Sequence, residues 1–230
     1  MRLDKFLANQ GFGSRKDAKK YIKDKRIKIN GVFAKKPEDN INPLVDEISI
    51  DDDVIEYKEN YYFMLNKPKG YICATEDNFQ NTVLELIPEY NYLKLFPVGR
   101  LDKDTTGLLL ITTDGDFAHK LISPKRHVDK VYIATLDKDV DMKIKNEFES
   151  GIILDDELTL PAKIEQLESN VCKVTLHQGK YHQVKRMFEY FGYKVIELHR
   201  EKFAFLTLGD LQEAEYRELT DDEVNRLKIL

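Results

Sequence analysis

Hydrophobic positions along this chain follow two different periods. Near the N-terminus Leu3, Phe6 and Leu7 fall on one helical face, and Gly11 and Gly13 end that run. A second helical period follows in SRKDAKKYIKDKR. There Ala18, Tyr21 and Ile22 line one side, Arg15, Lys16, Lys19, Lys20 and Lys23 cover the other, and Ser14 stands where an N-cap belongs. The strand-like RIKI then meets Asn30-Gly31, a pair suited to the positive φ angles of a two-residue hairpin. EISI closes the segment before Asp51-Asp52-Asp53. From Tyr61 onward the pattern changes. YYFMLN, GLLLITT, VYIATL, VCKVTL and KVIELHR read as strands by their β-branched and aromatic content. FAHKLI, VDMKIKNEFES, YHQVKRMFEYF and DDEVNRLKIL read as helices, the last opened by a Thr220/Glu223 capping box. The expected fold is α+β, with a small module over residues 1–57 and a larger domain over residues 58–230 built on a mixed or antiparallel sheet.

Composition narrows the class. With 230 residues, 42% hydrophobic, the chain can bury a substantial core, while 33% charged residues leave no apolar run long enough to cross a bilayer. The opening MRLDKFLANQ lacks the apolar stretch of a secretory signal, so a cytoplasmic protein is expected. Cys73 and Cys172 lie outside any metal-type spacing and read as reduced thiols. The five histidines (His119, His127, His177, His182 and His199) show no ligand spacing either, so no metal site is expected.

The net charge of −5 hides a division along the chain. Residues 1–36 hold 12 Lys+Arg against Asp4, Asp17 and Asp24, a local +9; residues 37–60 hold 9 acids against Lys58, a local −8. Phosphate binding responds to the local field rather than to the total. The basic helix face, five cations interrupted by Asp17, therefore reads as a phosphate-binding surface.

Chemistry concentrates in PVGRLDKDTTGLLLITTDGD, residues 97–116. A polar loop carrying Arg100, Asp102, Lys103, Asp104, Thr105 and Thr106 runs directly into a buried strand expected to end in a turn at Asp114-Gly115. Two chemistries fit it. One carboxylate could be a nucleophile kept ionised by neighbouring cations. Alternatively, Asp102-Lys103-Asp104 could be an Asp-x-Asp phosphoryl-transfer element holding magnesium, although Gly99-Arg100 separates it from any preceding apolar strand. Elsewhere Val184, Met187, Phe188 and Phe191 make an apolar helical stripe flanked by Lys185 and Arg186, either of which could reach a cleft.

Taken together, GRLDKDTTGLLLITTDG, Lys130-Val131-Tyr132 and GKYHQVKRM followed by VIELHRE resemble the ribosomal small subunit pseudouridine synthase A family. Residues 1–57, with RLDKFLA, SR and RIKINGV, resemble the S4 RNA-binding domain. The resemblance implies an isomerase that converts uridine to pseudouridine in 16S rRNA, at uridine 516, without metal or cofactor. It implies that Asp102 is the nucleophile, that Tyr132 packs on the target uracil and moves the C5 proton, and that Lys185 is the basic partner of Asp102. Arg100 would help displace the base. RNA contacts are expected from Arg15, Lys16, Lys19, Lys20, Lys23, Arg100 and Arg186. The implied partner is 16S rRNA or a small-subunit assembly intermediate, met by a monomer away from any membrane. The HQGKYHQVKRM form points to the small rather than the large subunit, while Gln178 stands where this branch would carry Glu. The alternatives are a large-subunit 23S rRNA synthase and a non-catalytic S4-type assembly factor.

Overall fold

A computed structural model describes residues 1–230. The chain divides into two compact units, Met1–Tyr61 with Pro88–Lys94, and Tyr62–Ile87 with Leu95–Leu230.

The first unit sets helices α1 (Leu3–Asn9) and α2 (Arg15–Lys23) with a four-stranded antiparallel sheet. The strand order is Val32–Phe33, Ile27–Ile29, Ile48–Ile50, Asp53–Val54. Leu3, Phe6, Leu7, Ala18, Ile22, Ile27, Ile41 and Ile48 form its core, as the helical period predicts. Ser14 caps α2 reciprocally with Asp17. Asn30 and Gly31, at φ 49° and 76°, make the tight hairpin. The acidic stretch does something the sequence did not suggest. Asp51 and Asp52 take positive φ and turn the chain into a second hairpin, and their carboxylates pair with Arg26 and Lys28 of the neighbouring strand region. The acids thus neutralise strand cations and leave those of α2 alone. Gly11 packs under Tyr92 of the 88–94 segment; at φ 89° a Cβ there would meet the ring at 2.8 Å, so only glycine fits.

The second unit is built on one mixed sheet. Its main order is Lys163–Glu168, Val171–Leu176, Lys130–Leu136, Val195–Phe203, Thr106–Thr112, Tyr62–Lys67, Tyr216–Glu218. All neighbours are antiparallel except Thr106–Thr112 beside Val195–Phe203. The central strand Thr106–Thr112 is an unbroken apolar run because it is covered on both faces. Tyr62, Met64, Leu108, Leu110 and Phe203 pack against α3 (Gly115–Ile122) and α6 (Asp221–Lys228) through Phe117, Leu121, Val224 and Leu227. Helix α5 (Gln183–Tyr190) buries Val184, Met187 and Phe188, and Phe188 meets Phe148 of α4 (Lys145–Ser150) at 5.2 Å between ring centroids.

Three local expectations are revised. Asp114 does not close a turn; its carboxylate accepts from the Phe117 amide at 3.0 Å and caps α3. The stretch VDMKIKNEFES is a 3₁₀ turn, Met142–Ile144, followed by a shorter α4. Lys163–Glu168 and Tyr216–Glu218 are sheet edges with largely charged or half-exposed side chains, so they lack the apolar signature that marks central strands. No helix is long and apolar enough to cross a membrane.

Candidate active site

The site begins at a close backbone approach. Gly107 opens the central strand opposite Arg200, at φ 103°, where a Cβ would come within 2.4 Å of the Arg200 carbonyl oxygen. That contact fixes the end of the loop before it, residues 99–105. Lys67 then ties the loop from within the protein. Its wholly buried ammonium donates to the carbonyls of Pro68, Lys103 and Thr105 at 3.0, 3.3 and 2.8 Å. Burial pulls the Lys67 pKa below its ordinary value, partly offset by Cys73, Asp104 and Asp102. The Gly70 amide donates to the Lys103 carbonyl at 2.8 Å, and the Leu101 amide donates to Cys73 Sγ at 3.2 Å. The backbone on either side of Asp102 is thereby anchored, and its carboxylate is held over a cleft.

Helix α5 and His182, the residue just before it, supply what meets that carboxylate. Lys185 Nζ lies 3.2 Å from one Asp102 oxygen and 2.6 Å from Asp104, while His182 Nε2 lies 3.3 Å from the other Asp102 oxygen. Burial acts to lower the Lys185 pKa, but the hydrogen bond to Asp104 and the charge of Asp102 outweigh it, and the net shift is upward. For Asp104 burial pushes upward, and the bond and charge of Lys185 carry it net below the usual carboxylate range. Lys185 thus remains a cation between two carboxylates.

Tyr132, 8% exposed, forms part of the cleft wall with Arg100, Leu101, Asp102, Thr105 and His182. The cleft has a volume of about 70 Å³. A roomier cavity of about 630 Å³ lies elsewhere, along Phe205, Leu208, Arg217 and Glu223. Its Arg217 is already bound to Glu223 at 2.7 Å, and it lies away from Asp102, so the smaller cleft is the candidate site.

Behind Tyr132 sits Arg200, 2% exposed. Its Nε donates to the Leu108 carbonyl at 2.7 Å, its Nη1 points to the Tyr132 hydroxyl at 3.5 Å, and its Nη2 has no partner. Lys130 is buried nearby; burial, then the charge of Arg200, pulls it down to about 8. The buried side-chain atoms without partners are Thr105 Oγ1, Gln178 Nε2 and Arg200 Nη2. Thr105 lines the cleft, Gln178 immediately precedes Gly179 of its wall, and Arg200 backs Tyr132.

The expected residues separate accordingly. Asp102, Tyr132, Lys185 and Arg100 converge on the cleft, with Arg100 exposed at its mouth. Arg186 turns away: its guanidinium is bidentate to Asp155 at 2.8 and 2.5 Å. In the first unit Lys16, Lys19, Lys20 and Lys23 are exposed. Arg15 joins Arg2 on the buried carboxylate of Asp4, at 3.0 and 2.9 Å. Burial pushes Asp4 upward, but the hydrogen bonds from the two arginines bring it to about 2. His182, Arg200, Lys67 and Asp4 were not singled out from the sequence. His182 stands three residues before Lys185, just ahead of α5 in the left-handed conformation, so helical spacing gave no signal for it. Lys67 and Asp4 look like surface charges until their burial is known.

A profile of RNA pseudouridylate synthases matches residues 61–190, and a profile of the S4 domain matches residues 1–43. Ribosomal small subunit pseudouridine synthase A of Yersinia pestis is 42% identical over 97% of this chain and 97% of its own length. An uncharacterized RNA pseudouridine synthase of Bacillus subtilis is 41% identical over 99% of this chain and 98% of its own. A solved structure, described as the crystal structure of pseudouridylate synthase, is 40% identical with a TM-score of 0.69 and covers 99% of both chains.

Proposed function

The chain belongs to the RNA pseudouridylate synthase family, enzymes that isomerise uridine within RNA, and from that premise we propose that its substrate is uridine 516 of 16S rRNA, with Asp102 as nucleophile. The observation that carries the catalytic assignment is the placement of the Asp102 carboxylate between Lys185 and His182, facing the cleft that Tyr132 walls. The small-subunit target is favoured by the HQGKYHQVKRM sequence and by the names of relatives from Yersinia pestis and Escherichia coli, both ribosomal small subunit synthases. The acceptor is 16S rRNA or a partly assembled small subunit, engaged by a monomer. Residues 1–57 serve as the RNA-binding domain through Arg15, Lys16, Lys19, Lys20 and Lys23, and residues 58–230 as the catalytic domain.

The chemistry follows from the groups in place. The target nucleotide leaves its stack, at a cost of a few kcal/mol that is smallest for a poorly paired base. The cleft of about 70 Å³ is small beside the roughly 300–1,000 Å³ of ordinary ligand pockets, and Arg100, exposed in its lining, is the side chain that helps displace the target base in this scheme. Asp102, oriented by its ion pair with Lys185, attacks C6 of the uracil or C1′ of the ribose. The C1′–N1 bond breaks, the uracil turns, a C5–C1′ bond forms, the bond to Asp102 is released with its electron pair returning to the carboxylate, and the C5 proton leaves while N1 takes one up. Tyr132, which walls the cleft, takes that proton in this scheme. Atoms and electrons balance without an external reductant, energy source or second substrate.

Loss of the C5 proton supplies the test. RNA transcribed with tritium at uridine C5 should release one label per turnover with the wild-type protein. Asp102→Asn should release less than a hundredth of that at similar RNA affinity, since the amide keeps the shape but is not a nucleophile. Residual activity above a tenth of wild type would overturn the assignment. Parallel 16S and 23S substrates decide the subunit, and tight binding with no release from either would favour the non-catalytic assembly factor.

A further inference from the structure

At the rim of the cleft Tyr181 is 73% exposed. Single exposed aromatics are common on protein surfaces, but the surroundings of this one are unusual. Its ring lies flat on the His182 ring, with centroids 3.8 Å apart and planes 16° apart. His182 in turn stands 3.3 Å from Asp102. The two rings therefore form a short stack whose inner end touches the nucleophile and whose outer face meets solvent.

The backbone explains how consecutive side chains stack. His182 adopts φ 48°, in the left-handed region, immediately before α5 begins. In extended chain two successive side chains would point to opposite sides; the turn at His182 brings them face to face. The segment is then braced on both flanks. Lys180 pairs with Glu157 at 2.5 Å, and Arg186 pairs with Asp155 at 2.5 Å while reaching the Tyr181 carbonyl at 3.5 Å. These contacts hold the peptide around the ring and leave its outer face uncovered.

We propose that Tyr181, backed by His182, is a stacking platform for the nucleobase adjoining the target uridine. The inference rests on the reading that this chain acts on uridine in RNA. When the target leaves its stack, its neighbour loses a face-to-face contact, and a rigid aromatic plane beside the nucleophile replaces it. Such a platform accepts any base, because every base has a π face. It would hold the RNA chain in register with Asp102 while the chain's recognition of the uridine itself resides in the cleft.

The test reads binding and turnover separately on one 16S rRNA fragment centred on uridine 516, with 2-aminopurine in place of each neighbour in turn. The protein has no tryptophan, so the probe is excited without competing indole emission. Wild type and Tyr181→Phe should quench the probe at one flank. Tyr181→Leu should lose that quenching and bind roughly ten- to a hundredfold more weakly, the loss expected for one base–aromatic stack. An abasic nucleotide at that flank should weaken wild type comparably and erase its advantage over Tyr181→Leu. Unchanged binding and quenching in Tyr181→Leu would overturn the platform, as would a loss that persists on the abasic RNA. Tritium release from the same fragment reports the isomerase reading independently: quenching through Tyr181 without release would retain the platform and overturn the target.

Discussion

Replacing Lys185 by Met keeps the aliphatic stem beside Val184 and Met187 and removes only the ammonium between Asp102 and Asp104. At 3.2 Å, with an effective dielectric of about 20, the gross attraction between Lys185 and Asp102 is about 5 kcal/mol. Both side chains retain some exposure, 21% and 25%, so water recovers part of this when the pair is broken. About 2–4 kcal/mol of support for the oriented carboxylate then remains to be lost. At about 1.4 kcal/mol per decade, kcat should fall roughly 30- to 1,000-fold. Binding should change little, because the proposed RNA-binding surface lies on residues 1–57. Single-turnover tritium release from C5-labelled RNA measures the chemical phase directly. Lys185→Arg should recover much of the rate, since it restores a cation of similar reach. Arg186→Met is the control: its guanidinium is held by Asp155, so it should leave kcat nearly intact. A Lys185→Met rate within threefold of wild type, with Arg186→Met strongly impaired, would show that the partner of Asp102 is a different cation.

Arg200 should act through Tyr132: Arg200→Met should lower kcat about tenfold or more in the wild-type background but add little to Tyr132→Phe, and additive losses in that double-mutant cycle would place its effect elsewhere. Asp4, at about 2 in the folded chain against an ordinary 3.8, binds fewer protons folded than unfolded; its stabilisation is therefore complete above about pH 4 and lost as pH falls toward 2. After screening at the half-exposed arginines it is worth roughly 1–2 kcal/mol, so the gap between urea titrations of wild type and Asp4→Asn should shrink to about a third of its pH 6 value near pH 2.5; a constant gap would refute the ion-pair origin. Gly107→Ala should cost about 3–5 kcal/mol, from positive φ and a backbone clash at 2.4 Å. Its thermal midpoint should drop by roughly 10 °C, and a shift under 2 °C would mean the strand can move away from Arg200.

Local order was readable wherever it depended on neighbouring residues. Ser14 with Asp17, Thr220 with Glu223, and Asn30-Gly31 announce their caps and turn because each acts across two or three residues. The central strands declared themselves through unbroken apolar runs. The short strands and edge strands did not, since Lys163–Glu168 carries charges on exposed positions, and Asp51-Asp52 could not be seen turning toward Arg26 and Lys28.

The amino-acid sequence by itself determined the chemistry available: the loop with Asp102, the strand with Tyr132 and the helix with Lys185 each carry a local pattern and a family resemblance. It also restricted the fold to α+β, because helical and strand periods alternate along the chain. Only the tertiary structure decided which charges work together. Lys185 and Arg186 are adjacent in sequence, yet helical rotation sends one to Asp102 and the other to Asp155. Lys67 and Arg200, more than 130 residues apart, become structural cations of one site because sheet pairing places Gly107 against Arg200 and the preceding loop over Lys67. Side-chain periodicity is a short-range property, whereas burial and charge pairing depend on contacts that chain topology creates between distant residues.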